Sequence, residues 1–410
     1  MLSVCIITKN EKENLMRCVE TLLRYPFEVV VLDTGSTDGT LAYLNDLQET
    51  MKKTDQKDFL KEASLESDSG FSEEASPAPE SDFSKEASLV IGNFPWCDDF
   101  SAARNAAVGL ASNDMILSID SDEFLYDFSL EELEKELAQN QGKVGRICIH
   151  NQMQNHTGES VEWVSRLFSR KQFFYEGSIH EQITARDGEK YQTFQSCLSI
   201  LHVGYDLSEQ GKKEKAARNI RLLKKELEQA GYDIEKTPEE AVADLHNEKI
   251  PYLLYQFGKS AYLMADYENA CNAFARGLSY DLDPQLEYVS DMVETYGYAL
   301  VHAKRAGEAL FLESLLQEFG NSADFFFMLG YVYMNNERFG DAIQAFLKAT
   351  EFAAAHTAGA NSYLAYYNVG VIYECLGQCE QAKIYYEKCG AYAQAKERIA
   401  VLEKQEGQVL

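Results

Sequence analysis

The stretch Asp114-Met-Ile-Leu-Ser-Ile-Asp-Ser-Asp-Glu123 is an apolar segment that runs directly into acidic side chains. Asp114–Ile119 is predicted to be a buried strand. Asp120 and Asp122 are two residues apart, so strand geometry predicts that both carboxylates point to one side, with Ser121 opposite. Mg²⁺ and Mn²⁺ prefer oxygen ligands and substrate phosphates. The pair therefore favours a divalent cation holding a diphosphate, and the alternative is an ordinary acidic turn.

The residues before this stretch predict the rest of an α/β domain. Apolar strands at Leu2–Ile7 and Val29–Leu32 alternate with helices at Glu13–Arg24 and from Thr40 onward. This order indicates a parallel sheet with right-handed crossovers. Ligands of such sheets bind beyond the carboxyl ends of the strands. Further strands are predicted at Leu89–Ile91, Gly145–His150, Ser165–Phe168 and Leu198–His202, and an alanine-rich helix at Phe100–Ala111.

Polar side chains near these strand ends are the candidates for binding and catalysis. Asp33 suits a nucleobase N–H or a ribose hydroxyl, although its Gly- and Ser-rich surroundings also favour a turn role. Arg104 can pair with a phosphate, or form a structural ion pair with Asp98 or Asp99. His202 ends a strand and can complete a metal shell, although a lone histidine is more often structural. Glu181 can serve as a general base.

Residues 48–88 differ from their surroundings in composition. They are rich in Ser, Glu, Asp and Lys, and a twelve-residue repeat places phenylalanines at 59, 71 and 83. The segment is expected to be a solvated low-complexity insertion. The alternative is a docking tether that uses the three phenylalanines.

The C-terminal part of the chain is a helical repeat. Glycines and alanines recur twelve residues apart, at Gly258 and Ala270, Gly297 and Ala309, Gly330 and Ala342, and Gly370 and Ala382. An aromatic residue follows four positions later, except at Glu313. This pattern is typical of tetratricopeptide repeats, in which small residues allow paired helices to pack closely. The predicted domains are 1–206, a linking basic helix in 207–238, and repeats in 239–410.

Composition limits the classes of partner. The 410 residues carry a formal charge of -28, which argues against broad nucleic-acid binding and against an anionic membrane surface. The sequence has no apolar run long enough for a transmembrane helix. The nine scattered cysteines form no CxxC pair, so reduced thiols in a cytoplasm are expected, and a zinc site is not.

Six segments together resemble the family 2 glycosyltransferases of the GT-A fold. They are SVCIITKNEKENL (3–15), VVVLDTGSTDGT (29–40), WCDDFSAARNAA (96–107), ILSIDSDEF (116–124), SIHEQI (178–183) and LHVGYDLSE (201–209). With its repeat tail, the chain resembles the subgroup of sublancin- and enterocin-type enzymes, which glycosylate Ser or Cys of bacteriocin precursor peptides. The insertion at 48–88 departs from the family pattern, and no catalytic role is expected for it.

The resemblance implies roles for individual residues. The nucleotide-sugar pocket is expected to include Thr8, Asn10, Glu11, Asp33, Arg104, Asn105 and Asp120. Asp122 and His202 are the implied ligands of Mg²⁺ or Mn²⁺, and Glu181 is the implied base. Trp96, Asp98 and Asp99 receive a supporting role. The implied reaction is an inverting transfer from a UDP-sugar, with UDP-glucose the expected donor.

The acceptor is open at this stage. Residues 239–410 contain about 12 basic and 24 acidic side chains, so a basic precursor peptide is the hypothesis for the repeats. Transfer to an envelope glycan or a lipid-linked acceptor is the alternative reaction. A peptide-binding scaffold without activity is the alternative outside enzymes, and the intact DSD and HEQ words argue against it. Self-association as a homodimer through exposed helix faces is left open.

Overall fold

A computed structural model describes residues 2–53, 87–152, 159–202, 209–237, 247 and 249–409. The chain divides into two compact units, Met1–Leu207 and Ser208–Leu410. The first is built around a mixed sheet and the second is all-α. This confirms the predicted fold class. Most of the predicted insertion at 48–88 and most of the LHVGYDLSE segment lie outside the described residues.

The first unit is a sheet flanked by helices. Its strands are β1 Leu2–Thr8, β2 Glu28–Asp33, β3 Ser88–Asn93, β4 Met115–Asp120, β5 Glu123–Asp127, β6 Val144–Gln152, β7 Glu159–Ser169, β8 Phe173–Glu176, β9 Gln182–Ala185 and β10 Thr193–His202. Its helices are α1 Lys12–Leu22, α2 Thr40–Lys53, α3 Phe100–Leu110 and α4 Leu130–Gln139. The sequence analysis did not predict β5, β8, β9 or α4, which are short elements.

The strand order of the main sheet is β3-β2-β1-β4-β7-β6-β10-β5, and β8 and β9 form a separate pair. β1 to β4 are mutually parallel, whereas β7 runs antiparallel to β4. The parallel strands are nearly continuous apolar runs because both of their faces are covered. One core contains Val4, Ile6 and Leu15, and the other, on the opposite face, contains Val30 and Ala107.

The second unit is built from helix pairs. Its α-helices are α5 Glu209–Gln229, α6 Lys249–Leu263, α7 Tyr267–Gly277, α8 Glu287–His302, α9 Leu316–Phe319, α10 Ala323–Asn335, α11 Phe339–Ala349, α12 Tyr363–Cys375, α13 Cys379–Lys388 and α14 Ala393–Val409, with a 3₁₀ helix at Glu308–Leu315. α5, which the sequence analysis treated as part of a link, belongs to this unit. Its buried residues include Leu222 and Leu223, and it packs against α6.

The glycines of the repeat mark close approaches between paired helices. A Cβ added at Gly330 would lie 2.7 Å from Cδ1 of Phe346, and one at Gly370 would lie 2.6 Å from Cε1 of Tyr386. The exception at Glu313 has a structural counterpart, because this residue lies in the 3₁₀ helix and pairs with Arg338. Leu312 is one of two buried side chains of that helix, and together with Met328 it approaches Gly297.

Candidate active site

Pairing of the parallel strands brings the predicted binding residues to one edge of the sheet. Thr8 is paired with Asp33, and Ile7 with Asp120, at the carboxyl ends of β1, β2 and β4. His202 joins the same region from β10, where it pairs with Glu123 at the start of β5. Residues from four distant parts of the sequence thus converge where open α/β sheets bind ligands.

Asp33 organises the loop that follows β2. Its carboxylate accepts hydrogen bonds from the backbone of Gly35 and Ser36, both at 3.1 Å. Gly35 has a φ of +106°, which suits glycine. The turn role that the sequence left open is therefore present. Binding of a nucleobase by Asp33 stays a prediction, because a carboxylate oxygen can accept more than one hydrogen bond.

Asn10 ties the loop after β1 to the loop after β2. Its side-chain oxygen accepts a hydrogen bond from the backbone of Thr37 at 2.7 Å, and its own N–H donates to Ser36 Oγ at 2.9 Å. Thr8 is buried, and its Oγ1 has no hydrogen-bond partner among the described residues. Glu11 accepts from Asn14, and burial raises the pKa of Glu11, with the nearby charge of Asp122 acting in the same direction.

Arg104 lies at the centre of the site. From α3, its buried guanidinium donates Nε–H to Glu181 Oε1, NH1 to Ser118 Oγ at 3.0 Å and NH2 to Asp120 Oδ1 at 2.7 Å. The proposed ion pair with Asp98 or Asp99 is wrong, since Arg104 pairs with Asp120 and Glu181 instead. Asp99 caps α3 by accepting from Ala102. Arg104 therefore connects a carboxylate at the end of β4 with the predicted base.

A second arginine holds the other oxygen of Asp120. NH2 of Arg166 on β7 lies 3.1 Å from Asp120 Oδ2 and 3.2 Å from Glu123 Oε1. Glu123 also accepts a hydrogen bond from the backbone N–H of Asp120 at 2.8 Å. Burial acts to raise the pKa of Asp120, but the charges of Arg104 and Arg166 outweigh it and hold that pKa well below its ordinary value. Asp120 is thus a fixed carboxylate.

Asp122 has different partners from Asp120. β4 ends at Asp120, so Ser121 and Asp122 lie in the turn to β5, and the alternation expected of a strand does not apply to them. Asp122 Oδ2 is 3.3 Å from His202 Nε2, and this contact raises the pKa of His202. Both side chains are about one-third exposed. The structure brings together the two residues predicted to bind a metal and leaves them accessible.

The remaining predicted residues hold together the elements that surround the site. The side chain of Asn105 donates to the carbonyl of Tyr175 at 2.8 Å and accepts from its N–H at 2.9 Å, which fixes β8 against α3. Asn105 can thus shape the pocket through the position of β8. Trp96 donates to Asp98 at 2.9 Å, and the N–H of Phe100 donates to the carbonyl of Ser178 at 2.8 Å. The latter bond joins the start of α3 to the loop that carries Glu181.

Arg166, Glu123 and Ser118 were not predicted from the sequence. The signal for Arg166 was the single cation of β7, and Glu123 directly follows the acidic pair. Neither position is exceptional in isolation. Their importance depends on β7 lying beside β4, which strand patterns do not reveal.

Comparison with known proteins assigns the two units. The family model described as glycosyl transferase family 2 matches residues 3–62, and the tetratricopeptide repeat model matches 323–356 and 363–395. Residues 3–62 of the first unit therefore resemble the family 2 glycosyltransferases. The matched segment includes β1 and β2, which supply Thr8 and Asp33 to the site.

Two curated relatives each match part of the chain. The SPbeta prophage-derived glycosyltransferase SunS of Bacillus subtilis is 24% identical over 234 residues, covering 54% of this chain and 44% of SunS. A TPR repeat-containing protein of Synechococcus elongatus is 31% identical over 137 residues, covering 33% of this chain and 24% of its own length. The matches span less than half the length of either relative.

Among solved structures, S. aureus TarS matches 75% of this chain and 53% of its own, with 12% identity and a TM-score of 0.35. Within the described residues, no helix is long and apolar enough to cross a membrane. Over that same part of the chain, no three His, Cys, Asp or Glu side chains are grouped in a way that could hold a metal ion. Asp122 and His202 are a contacting pair within this part of the chain, and metal binding by them stays a prediction.

Proposed function

We propose that this protein is a metal-dependent inverting glycosyltransferase that moves a sugar from a UDP-sugar to Ser or Cys of a ribosomally made peptide. The observation that carries the proposal is the pairing of Asp122 and His202 beside the Arg104–Glu181 pair. It supports the proposal because a partly exposed Asp–His pair suits a divalent cation and a carboxylate suits a general base, and both lie in the unit that contains the segment matched by the glycosyl transferase family 2 model.

The donor half of the site uses oxygen and imidazole ligands. Asp122 and His202 provide two ligands for Mg²⁺ or Mn²⁺, and such ions commonly take further ligands from substrate phosphates and water. The negative charge that develops on the leaving diphosphate is stabilised when the cation is bound there. Thr8, Asp33 and Asn10 line the neighbouring loops, where the nucleoside binds. Asp120 is a carboxylate held by two arginines, and in this proposal it faces the nucleotide-sugar.

The acceptor half of the site is centred on Glu181. Arg104 binds Oε1 of Glu181, so the second oxygen is the one that takes the proton from the attacking group. The incoming oxygen or sulfur forms a bond to the anomeric carbon while the bond from that carbon to the diphosphate breaks. One such displacement inverts the configuration. A thiol requires less assistance than a hydroxyl, because its pKa is closer to neutrality.

The repeat unit supports a peptide as acceptor. Partly exposed rings of Tyr262, His302, Tyr331 and Tyr298 form a row across α6, α8 and α10, with neighbouring ring centroids 5.6 to 6.1 Å apart. Glu294 lies one turn before Tyr298 on α8 and acts electrostatically on its phenol. Aromatic rings beside acidic groups suit an extended peptide with basic side chains. We call these four rings the aromatic row.

The central experiment measures transfer from UDP-sugars to Ser- and Cys-containing basic peptides by intact mass. Asp122→Asn should reduce the rate by about 100-fold or more, since it removes a direct metal ligand. Asp127→Asn, an exposed carboxylate at the end of β5, is the matched control and should leave the rate unchanged. Unchanged transfer in Asp122→Asn would disprove the metal-dependent mechanism. Transfer to lipid-linked acceptors but never to peptides would establish the alternative reaction.

A second experiment tests the peptide-binding role of the repeats. Tyr331→Ala should raise the peptide KM by about tenfold, the loss of roughly 1.4 kcal/mol of binding. Hydrolysis of the UDP-sugar without acceptor should not change. Phe311→Ala removes an exposed ring from the 3₁₀ helix, outside the aromatic row, and should leave both quantities unchanged. An unaltered peptide KM in Tyr331→Ala would show that the aromatic row is not the acceptor surface.

A further inference from the structure

Arg166 has no role in the assignments above, yet its guanidinium lies within the candidate active site. Its side chain is 14% exposed and its NH2 contacts both Asp120 and Glu123. Nε of Arg166 has no hydrogen-bond partner among the described residues and is buried. A buried arginine with an unused donor is costly unless it serves an arrangement that needs it.

The contacts of Arg166 complete a chain of charged groups. At one end of this chain, Glu181 forms an ion pair with Arg104, which also pairs with Asp120. At the other end, Arg166 pairs with both Asp120 and Glu123. The two arginines take one oxygen of Asp120 each. With Oδ1 and Oδ2 both held, the carboxylate cannot rotate about its terminal torsion without breaking an ion pair.

We propose that Arg166 is a positioning residue for nucleotide-sugar binding, acting by holding Asp120 in a single orientation toward the donor. This inference rests on the proposed function, because it requires Asp120 to face the nucleotide-sugar. Arg166 touches neither the reacting atoms nor the predicted metal ligands in this account. Its effect falls on donor affinity, while Glu181 keeps its own partner in Arg104.

A structural alternative makes a different prediction. If Arg166 serves only to neutralise the buried Glu123, then removing both charges together should restore both the stability and the UDP affinity of the wild type. If Arg166 positions Asp120, removing both charges should restore stability but not donor affinity. The variants Arg166→Met and Arg166→Met/Glu123→Gln separate these two roles.

The experiment titrates the full chain with UDP in the presence of Mn²⁺ by calorimetry and measures unfolding by urea in parallel. Arg166→Met should be less stable than the wild type and bind UDP about tenfold more weakly. In the double variant, stability should return while the weaker binding of UDP persists. Arg166→Lys, which can reach one of the two carboxylates, should show an intermediate dissociation constant. In kinetics, the donor KM should rise by more than kcat falls.

Arg170, the residue that directly follows β7, supplies a matched control. Its guanidinium donates to the carbonyls of Val108 and Ala111, away from the candidate site. Arg170→Met should lower stability without changing the UDP dissociation constant. A double variant that binds UDP as tightly as the wild type would overturn the proposal for Arg166 while leaving the proposed function intact. A wild-type protein that binds no UDP would instead overturn the proposed function, and this inference with it.

Discussion

Partly buried acids have opposite electrostatic surroundings in the two units. In the first unit, Asp120, whose side chain is 36% exposed, lies between two arginines that hold its pKa well below the ordinary value. In the repeat unit, burial raises the pKa of Glu294 to about 8, and the charges of Asp324 and Asp291 add to this effect more than Lys259 opposes it. The sheet edge thus carries its own compensating cations, whereas the repeat face has an excess of acid.

This difference indicates which kind of ligand each surface is suited to bind. A carboxylate fixed by internal cations is preorganised, so ligand binding requires little rearrangement. An acid that burial keeps protonated despite the nearby Lys259 gains by meeting a further cation from outside. The repeat face is therefore suited to a basic partner, in line with the proposed peptide acceptor.

The largest expected effect comes from removing an arginine that neutralises the acids at the edge of the sheet. Arg104→Met leaves Asp120 with one arginine and Glu181 without its partner, so the free energy of unfolding should fall by about 3–5 kcal/mol. Urea denaturation measures this change. Arg186→Met, at an exposed arginine of the same unit, should stay within about 0.5 kcal/mol. A loss below about 1 kcal/mol in Arg104→Met would mean that the acids do not depend on this cation.

The second-largest expected effect concerns Glu294, the acid of the repeat unit whose pKa is raised. Between pH 4.5 and 8 the folded protein keeps a proton on Glu294 that the unfolded chain releases, so this group's contribution to stability falls as pH rises. From pH 5 to pH 8 the decrease should be roughly 2–4 kcal/mol. Urea unfolding of the wild type and of Glu294→Gln at several pH values measures the difference.

Glu294→Gln should remove this part of the pH dependence. The free energy of unfolding of the variant should therefore increase relative to that of the wild type as pH rises. If the difference between the two proteins were constant from pH 5 to pH 8, Glu294 would be an ordinary solvated acid. The contrast between the two units would then disappear.

The smallest expected effect concerns the contribution of close helix packing to the stability of the repeats. Gly330→Ala forces its new methyl group against the ring of Phe346 and should cost about 1–3 kcal/mol. Gly340→Ala, in α11, has nothing within 4 Å of the new methyl group and should be neutral or stabilising by up to about 1 kcal/mol. Thermal unfolding of the two variants is a direct comparison. Equal effects would show that close helix approach at Gly330 is unimportant.

Much of this architecture was predictable from local pattern. Apolar runs identified β1, β2 and β4, and the spacing of glycine and alanine identified the helix pairs, down to the irregular repeat at Glu313. The short elements β5, β8 and β9 were missed because four or five residues give too little periodicity. The metal-binding role of Asp122 stays a prediction, and its geometry differs from the expected one because the strand ends two residues before it.

Local patterns were enough to predict which side chains stand at strand ends and which residues allow helices to approach, because both features depend on neighbours a few positions away. The pairing of Arg104 with Glu181 across 77 residues, and of Arg166 with Asp120 across 46, became visible only in the folded chain. These pairs depend on β7 lying beside β4 and on the loop of Glu181 meeting the start of α3. Electrostatic partners are chosen by distance in space, and that distance is set by strand order, which no local pattern encodes.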